Sequence, residues 1–327
     1  MNPDKLLEIS GNYWQTCTLH SAVKLDIFTL IGNSRLKSED ISDILRGSQR
    51  GIEMLLNALS AMSLLEKKEN TYSNTPLSLE FLVRTSSRYI GHIIMHHYHL
   101  VDSWNRLDVA VRTGQPVRSR LSHSDEEKRE GFLMGMFNLA MNLAPVLVPT
   151  IDLSNRHHLL DLGGGPGTYA IQFCLNNPML RATVYDLPTT RPFAEKTIAK
   201  FNLQDRIDFK NGDYLEEDIK GSFDVAWLSQ ILHGESFENS CNIVKKAVST
   251  LEAGGLIIIH EFILNNAMDG PLFPTLFSLN MLLGTSGGQA YSEEQLITML
   301  TDAGAKDFQR IYFDSHNDSG ILTGIVR

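Results

Sequence analysis

LLDLGGGPGTYA, residues 159–170, is the stretch that decides the fold of this chain. Its first four residues continue a short apolar, strand-like run, and an apolar helix pattern follows the glycines up to Asn176. A glycine-rich turn between a strand and a helix directs backbone N–H groups and the positive end of the helix toward a ligand. Four glycines within five positions exceed what a tight turn requires. The stretch therefore predicts a ligand-binding strand–loop–helix unit.

Strand and helix patterns alternate from this unit to the C-terminal end. Two final strands near 307–313 and 320–327 are joined by SHNDS, which is too short for a crossover, so this pair must be antiparallel. The alternation predicts an α/β protein with a Rossmann-like doubly wound sheet and an antiparallel last strand. The other strands are predicted at 158–162, 181–187, 205–213, 223–229 and 254–264, with helices at 193–201, 236–251 and 292–304.

The N-terminal part has a different pattern, in which short helices precede a polar segment. LHSAVKLDIFTLI, residues 19–31, predicts one mostly apolar helix, and Ser38 is expected to cap the helix that follows it. EKKENTYSNTP, residues 66–76, predicts a small hairpin after the helices. This order is typical of a winged helix. We therefore expect a helical, winged-helix-like domain at 1–85, helices that link it to the sheet at 86–150, and the Rossmann-like domain at 151–327.

Composition excludes several classes of protein. The net charge of −9 gives no electrostatic footprint for nucleic acid or for an anionic membrane. No apolar run comes near the about 20 residues of a membrane span, and MNPDKLLEIS lacks the pattern of a signal peptide. Cys17, Cys174 and Cys241 are far apart in apolar contexts and are expected to be free thiols. A cytoplasmic protein without nucleic-acid or membrane partners is expected.

The spacing of the glycines separates two kinds of ligand. A dinucleotide fingerprint, G-x-G-x-x-G, fails because Thr168 stands at the third position. An acidic residue followed by G-x-G-x-G is present in full as Asp161, Gly163, Gly165 and Gly167. This pattern resembles the first motif of class I S-adenosylmethionine (SAM)-dependent methyltransferases. An acid beside such a loop suits the ammonium group of SAM.

Polar residues stand at the ends of the next strands, which meet at one edge of a doubly wound sheet. Asp186 follows the loop by about 20 residues, where a carboxylate can bind both ribose hydroxyls of either NAD or SAM. Asp213 can accept from the adenine amino group and Tyr214 can pack on the ring, although Asp213 also suits an ordinary turn. Leu187 and Ser229 complete the cofactor-binding candidates.

Nearly the whole chain resembles the two-domain small-molecule O-methyltransferases, a family that includes plant phenolic, acetylserotonin and bacterial secondary-metabolite enzymes. The resemblance rests on the winged-helix pattern, SWNRLDVAVRTGQP, FNLAMN, DLGGGPG, VYDLP, GDYLEE, HEFIL and GGQAYSEEQL. It implies SAM as cofactor and S-adenosyl-L-homocysteine as product. It also implies that the N-terminal domain forms a homodimer instead of reading DNA.

The resemblance also assigns a catalytic pair. His233, in the loop after the fourth strand, matches the base of the family, and Glu261 matches the acid that orients this base. The family has Asp and Trp directly after the base, where this chain has Gly234 and Glu235, and a second family glutamate aligns with Ala290. His233 is therefore expected to act as a base or to position the acceptor.

Several residues are candidates for binding the acceptor. His92, His96 and His99 follow one face of a helix, which can hold a metal, form a polar or interface surface, or line the acceptor pocket. The resemblance favours the last use, and no metal site is expected. Candidates for lining the pocket, each of which also suits an ordinary helix core, are His96, His99, Met136, Met141, Asn280 and Met281.

The sequence therefore predicts a dimeric SAM-dependent O-methyltransferase that acts on a hydroxyl of an aromatic or polyketide-like small molecule. Two alternatives stay open at this point. One is a SAM-binding relative with decarboxylase- or hydroxylase-like chemistry, which the altered neighbours of His233 suggest. The other is a SAM-responsive winged-helix regulator, although IEMLLNALSAM lacks the basic residues of a recognition helix.

Overall fold

The computed structural model describes residues 2–119, 126–313, 315 and 317–326, and for residues 126–130 it describes the backbone alone. The chain divides into two compact units, and the helices at 91–104 and 126–147 each cross the boundary between them. The first unit comprises Met1–Val101 with Glu130–Leu139, and the second comprises Asp102–Arg129 with Ala140–Arg327. The division at residues 85 and 150 that the sequence suggests stays a prediction.

The first unit contains a small antiparallel sheet among short helices. Strands β2 and β3 form the predicted hairpin, and a two-residue strand, β1, pairs with β3. Buried apolar side chains of the helices, such as Phe28, Leu56 and Leu59, pack with Tyr72 of β3. The elements are α1 (Asp4–Gly11), α2 (Tyr13–Lys24), α3 (Ile27–Ile31), β1 (Leu36–Lys37), α4 (Ser38–Leu45), α5 (Gln49–Ala61), β2 (Leu65–Lys68), β3 (Thr71–Asn74), α6 (Pro76–Phe81) and α7 (Gly91–Trp104).

Two local predictions for this unit are wrong. Residues 19–31 are not one helix, because α2 ends at Lys24 and Asp26 adopts a left-handed conformation with φ of 57° before α3 begins. Ser38 is the first residue of α4 instead of its cap. The carboxylate of Asp40 accepts a hydrogen bond from the backbone N–H of Lys37, 3.2 Å away, which satisfies a donor at this helix start.

An apolar surface covers the two N-terminal helices. No residue of α1 is buried, although the helix carries three large aliphatic side chains. Monomeric proteins rarely leave so many neighbouring apolar side chains in water. We call these residues the N-terminal apolar surface: Leu6, Leu7, Ile9, Tyr13 and Trp14, with exposed fractions of 61–70%.

The second unit is built around one large sheet, as the sequence predicts. The strand order is β10-β11-β8-β7-β4-β5-β6, with the short β9 beside β8. Strands β8, β7, β4, β5 and β6 are parallel, whereas β10, β11 and β8 pair in antiparallel fashion. The strands are β4 (His158–Leu162), β5 (Arg181–Asp186), β6 (Ile207–Asn211), β7 (Phe223–Ser229), β8 (Leu251–Leu264), β9 (Tyr291–Ser292), β10 (Ala305–Ile311) and β11 (Ser319–Val326).

Helices cover both faces of this sheet, so alternate residues of each central strand enter different cores. Leu159 and Trp227 pack with residues of α10 and α11, whereas Leu160 and Leu228 pack with residues of α12 and α14. Loops follow the carboxyl ends of β4, β5, β6 and β7. The helices are α8 (Leu107–Thr113), α9 (Glu126–Leu147), α10 (Thr168–Asn176), α11 (Arg191–Lys200), α12 (Phe237–Ser249), α13 (Leu272–Gly284) and α14 (Glu293–Asp302).

One described stretch, Gly131–Thr150, has the length and composition of a membrane span, contrary to the expectation that no apolar run comes close to one. The mean hydropathy of its most apolar window is 1.6, and 28% of that window is buried. Core helices of globular proteins meet the same two criteria. Length and composition of this stretch are therefore weak evidence for a membrane.

Candidate active site

The glycine loop after β4, which we call the glycine cradle, has a backbone geometry that lets another group approach the chain closely. Gly163, Gly165 and Gly167 have φ values of 65°, 54° and 78°, a region that favours glycine. The N–H of Gly163 donates to the carbonyl of Tyr185, 2.8 Å away on β5. A Cβ atom at Gly163 would lie 2.7 Å from the side chain of Ile231. Gly163 therefore has no room for a side chain, whereas a Cβ at Gly165 would meet nothing within 4 Å.

Asp161 lies on β4 directly before this loop and is buried. Its Oδ2 accepts from the N–H of Ala170 at 3.1 Å, while its buried Oδ1 has no partner among the described residues. Burial raises the pKa of this carboxyl to about 7, with a smaller contribution from the nearby Asp186. An unpartnered carboxyl oxygen beside the glycine cradle fits the ammonium group of SAM, which would favour the ionised carboxylate.

Asp161 should make the stability of the free protein depend on pH. The unfolded carboxyl ionises near pH 4, whereas the folded one retains its proton until about pH 7. The stabilisation is therefore complete below pH 4 and is lost as pH rises through 7. We expect the Tm of the wild type, relative to that of Asp161→Asn, to fall between pH 4 and pH 8 in thermal denaturation.

A surface carboxyl provides the control for this titration. Hydrogen bonds from Ser154 lower the pKa of Asp152, so the stabilisation that this carboxylate gives is lost only as pH falls below about 4, and the Tm difference between wild type and Asp152→Asn should stay constant between pH 4 and pH 8. Equal pH profiles of wild type and Asp161→Asn would contradict the raised pKa of Asp161.

Asp186, at the end of β5, ties the glycine loop to the neighbouring strand. Its Oδ2 accepts from the N–H of Gly165 at 2.8 Å, and its Oδ1 accepts from the N–H of Leu187 at 2.7 Å and the hydroxyl of Thr190 at 3.0 Å. Burial raises the pKa of Asp186, and these hydrogen bonds oppose the increase. The carboxylate is thus held in place by the loop, and ribose hydroxyls would use its remaining lone pairs.

Asp213 and Tyr214 form a turn after β6. Asp213 Oδ1 accepts from the N–H of Leu215 at 2.9 Å, which is the turn role that its sequence also suggests. Lys246 Nζ of α12 donates to the carbonyls of Tyr214 and Leu215, both 3.0 Å away, and so ties the turn to α12. The ring of Tyr214 lies beside Gly163, since a Cβ there would be 3.3 Å from its Cε1.

Ser229, at the end of β7, belongs to a buried polar group on the sheet face that carries Asp161. Its Oγ lies 2.8 Å from Nδ1 of His260 on β8. His260 stacks on the buried Trp227, with ring centroids 5.6 Å apart, and contacts Tyr169 at 5.7 Å. Burial lowers the pKa of His260 to about 4, so this imidazole is neutral at physiological pH.

His233 and Glu261 form a tight pair on the other face of the sheet. His233 lies in a single 3-10 turn, Leu232–Gly234, between β7 and α12, and its Nδ1 is 2.7 Å from Glu261 Oε2. Glu261 is only 2% exposed, and backbone N–H groups fix its carboxylate. Leu232 and His233 donate to Oε1 at 3.0 and 3.3 Å, and Phe262 donates to Oε2 at 3.2 Å. In the neutral imidazole, Nδ1–H donates to this carboxylate and Nε2 keeps its lone pair.

An aromatic wall encloses the imidazole of His233. Its ring stacks on Phe262 with centroids 5.6 Å apart and meets the edge of Phe277 at 4.7 Å. Phe262 and Phe277 contact each other at 4.5 Å, and Phe273 stacks on Phe277 at 6.1 Å. These rings give the histidine an apolar, flat-sided environment, which suits an aromatic ligand.

The positions that differ from the resembled family have distinct surroundings. A Cβ at Gly234 would meet nothing within 4 Å, so the site has room for a larger residue there. Glu235 is buried, and Asn239 Nδ2 lies 3.4 Å from its carboxylate. Ala290 is buried with Phe262 and Phe277, and its N–H donates to Ser278 Oγ at 3.1 Å. The aromatic wall thus occupies the space beside Ala290.

The predicted acceptor-binding residues belong to both units. That they line one pocket therefore stays a prediction. In the first unit the ring of His96 lies 5.4 Å from that of Phe132, and His99 is exposed. Met136 is half-buried in the same unit. In the second unit Met141 lies 3.7 Å from Gln172 Nε2, Met281 is buried, and Asn280 Oδ1 accepts from Arg118 at 3.1 Å.

Sequence reasoning missed several residues of the site. Phe273 and Phe277 are spaced i, i+4 in the apolar stretch LFPTLFSLNMLLG, which is a signal for a shared helix face, but nothing in the sequence places Phe262 beside them. Thr190 and Ile231 hold the loops at the sheet edge, and Arg118 lies against α13. Among the described residues, no group of three or more His, Cys, Asp or Glu side chains has the arrangement of a metal site.

Comparisons with known proteins agree with this geometry. The O-methyltransferase domain model matches residues 111–306, and the O-methyltransferase dimerisation domain model matches residues 7–84. A 3-hydroxy-5-methyl-1-naphthoate 3-O-methyltransferase from Streptomyces sahachiroi is 29% identical over 329 residues, covering 99% of this chain and 95% of the relative.

Two further proteins are similar over nearly their full lengths. The tetracenomycin polyketide synthesis 8-O-methyl transferase TcmO of Streptomyces glaucescens is 28% identical, covering 93% of this chain and 92% of the relative. The crystal structure of human N-acetylserotonin methyltransferase in complex with SAM has a TM-score of 0.88, 24% identity, and coverage of 99% and 97%. At that identity the similarity is one of fold.

A doubly wound sheet with this glycine loop and an acidic residue before it is typical of class I SAM-dependent methyltransferases. The chain belongs to the O-methyltransferase family, because the domain model matches more than half of it. It is an enzyme that uses SAM, and it carries the dimerisation domain of that family. The methyltransferase prediction is confirmed, and the two alternatives gain no support.

Proposed function

We propose that this enzyme transfers a methyl group from SAM to a hydroxyl of an aromatic or polyketide-like small molecule, with His233 as the general base. The observation that carries the proposal is the 2.7 Å contact between His233 Nδ1 and the buried carboxylate of Glu261. SAM supplies a methyl group on a sulfonium, whose departing thioether is neutral. The protein therefore has to position the acceptor and remove its proton.

His233 suits the proton transfer because its two nitrogens can take different roles. Nδ1 donates to Glu261, so Nε2 is the atom that accepts the proton of the acceptor hydroxyl. A phenol has a pKa of about 10, so a positioned base aids its ionisation near pH 7. The carboxylate of Glu261 then stabilises the imidazolium and keeps the ring in one orientation. Glu261 is thus a positioning residue in this proposal.

Residues at the carboxyl ends of β4, β5, β6 and β7 are proposed to hold SAM. The backbone at Gly163 and Gly165 accommodates the methionine and ribose portions, and Asp161 Oδ1 receives the ammonium group. Asp186 and Leu187 bind the ribose side, Asp213 and Tyr214 bind the adenine, and Ser229 closes the site at the end of β7.

The acceptor class follows from the aromatic wall and from the relatives. Phe262, Phe273 and Phe277 offer ring faces beside His233. The two similar Streptomyces enzymes are named for a hydroxynaphthoate and for the 8-O-methylation of a tetracenomycin polyketide. A fused-ring aromatic hydroxyl compound is therefore the acceptor class that this site supports best.

We also propose that the enzyme acts in the cytoplasm.

The experiment that tests the function measures SAM binding and methyl transfer separately. Calorimetry with SAM should give a binding isotherm, and S-adenosyl-L-homocysteine should form when hydroxynaphthalenes or polyketide phenols are added. Product analysis should place the new methyl group on oxygen. Binding of SAM without transfer to any hydroxyl in the panel would remove the proposed acceptor class, and absence of SAM binding would remove the function.

We further propose that the chain is a homodimer formed through its N-terminal domain. The dimerisation domain model covers residues 7–84, which include part of the N-terminal apolar surface defined above. Burying that surface against a second copy would remove its large aliphatic and aromatic side chains from water.

Charged substitutions on the N-terminal apolar surface should separate the subunits. Leu7 and Trp14 are 66% and 68% exposed in the single chain, so Leu7→Lys with Trp14→Glu should weaken dimerisation by at least about tenfold. Sedimentation equilibrium measures the change. Met179→Glu, at a residue 79% exposed in the second unit, is the matched control and should leave the dimer intact. A monomeric wild type, or a variant that dimerises unchanged, would contradict the proposal.

A further inference from the structure

Arg118 is fixed against the C-terminal half of α13 by its backbone and by one edge of its guanidinium. The N–H groups of Val117 and Arg118 donate to the carbonyl of Leu283 at 3.0 and 3.2 Å. Nη2 donates to the backbone carbonyl of Asn280 at 3.2 Å and to its Oδ1 at 3.1 Å. The guanidinium lies so close to Gly284 that a Cβ there would be 2.7 Å from Cζ.

The positive charge of Arg118 has no carboxylate partner within ion-pair distance in the described part of the chain. Its Nε is buried without a hydrogen-bond partner there, and burial lowers the pKa of the guanidinium. The exposed Arg112, one helix earlier, does have such a partner, Asp108 at 3.3 Å. A half-buried arginine that meets only neutral oxygens carries a desolvation cost that an anionic ligand would offset.

Arg118 and the proposed base, His233, both contact α13. Phe277 of α13 contacts His233, and Asn280 and Gly284 follow it on the same side of the helix by three and seven residues. At about 1.5 Å per residue, these positions are about 4.5 and 10.5 Å farther along the axis. The loop after α13 returns to His233, because a Cβ at Gly288 would lie 2.5 Å from the carbonyl oxygen of His233.

We propose that Arg118 determines acceptor specificity by binding a carboxylate substituent of the aromatic acceptor. The substrates of this enzyme are then aromatic hydroxy acids, with the hydroxyl at His233 and the carboxylate at Arg118. The inference rests on the proposed function and deepens it. The relative from Streptomyces sahachiroi is named for an acceptor of this chemical class, a hydroxynaphthoate.

The test compares two acceptors that differ in charge alone. With the SAM-loaded wild type, a hydroxynaphthoate should show a kcat/KM at least about tenfold higher than that of its carboxamide, which has nearly the same shape. Arg118→Gln should bring the ratio close to one, chiefly by raising KM for the carboxylate, while kcat for the carboxamide changes little. Arg112→Gln, which removes an exposed arginine, is the matched control and should keep the ratio of the wild type.

Other outcomes identify a purely structural role for Arg118. Equal losses with both acceptors, or no preference in the wild type, would overturn the inference. If Arg118→Gln does not fold, Arg118→Lys, which keeps the positive charge, should retain part of the preference, and equal losses with both acceptors in that variant would overturn the inference. Binding of 1-naphthoate, which has no hydroxyl, separates this inference from the proposed function. Binding that depends on Arg118, without methyl transfer to any hydroxyl, would support the anion site and reject the function.

Discussion

Replacing His233 with alanine should lower kcat by about 10²–10⁴-fold and leave the affinity for SAM nearly unchanged. The imidazole is the group whose Nε2 lone pair is available beside the aromatic wall, and His233 is not among the residues proposed to hold SAM. Steady-state kinetics with the best acceptor of the panel, together with calorimetry for SAM, measures both quantities.

Two further variants, Glu261→Gln and His157→Ala, test whether the loss of kcat is specific to the proposed base. Glu261→Gln removes the charge that orients the ring but preserves its shape, so we expect a smaller loss of kcat and a shifted pH profile. His157→Ala is the matched control, because the side chain of that histidine is 78% exposed and directly precedes the amino end of β4, whereas His233 follows the carboxyl end of β7. Unchanged kcat in His233→Ala would show that the residue only fills space. An acceptor with a more acidic hydroxyl should depend less on His233, since it is already ionised.

Gly163→Ala should abolish measurable SAM binding, or weaken it by about 100-fold or more. Its φ of 65° costs an alanine about 1–2 kcal/mol, and the new Cβ would lie 2.7 Å from Ile231 and 3.3 Å from Tyr214. Both neighbours belong to loops at the proposed cofactor edge, so relief of the clash displaces the binding residues themselves.

Gly114→Ala is the control that separates the effect of backbone strain from the effect of the clash with Ile231 and Tyr214. Gly114 has almost the same φ, 66°, but a Cβ there would meet nothing within 4 Å. Gly114→Ala should therefore lower the Tm as the strain requires while SAM affinity stays that of the wild type. Calorimetry and thermal denaturation of the two variants make the comparison. If Gly163→Ala binds SAM normally, the loop is not the cofactor cradle.

The architecture of the second unit could be predicted because its signals are local. The glycine loop between an apolar strand and an apolar helix defines one strand–helix unit, and the short SHNDS connection forces the last strands into an antiparallel pair. Residues at the carboxyl ends of parallel strands then share one edge of the sheet. For this reason the sequence places Asp161, Asp186 and His233 at the ends of neighbouring strands, while their functional roles stay predictions.

Other features could not be predicted because they depend on contacts between distant segments. The aromatic wall needs Phe262 of β8 to meet Phe277 of α13, and helix periodicity does not give that meeting. Arg118 reaches Asn280 across 162 positions of the chain. The break of the N-terminal helix at Asp26 arises from a left-handed residue that apolar periodicity does not detect. The hydrogen bonds that hold Asp186 to Gly165 and Thr190 likewise follow from packing.

Strand β8 carries the partners of Ser229 and of His233 on two consecutive residues. His260 contacts Ser229 and Glu261 contacts His233, and consecutive residues of a strand project to opposite faces. β7 and β11 hold this part of β8 in register on both sides. A one-residue insertion or deletion before His260 would exchange the two side chains between the faces. Evolution of this chain toward new acceptors is therefore free to vary α13 and the loops around it, whereas the length of β8 has to stay constant.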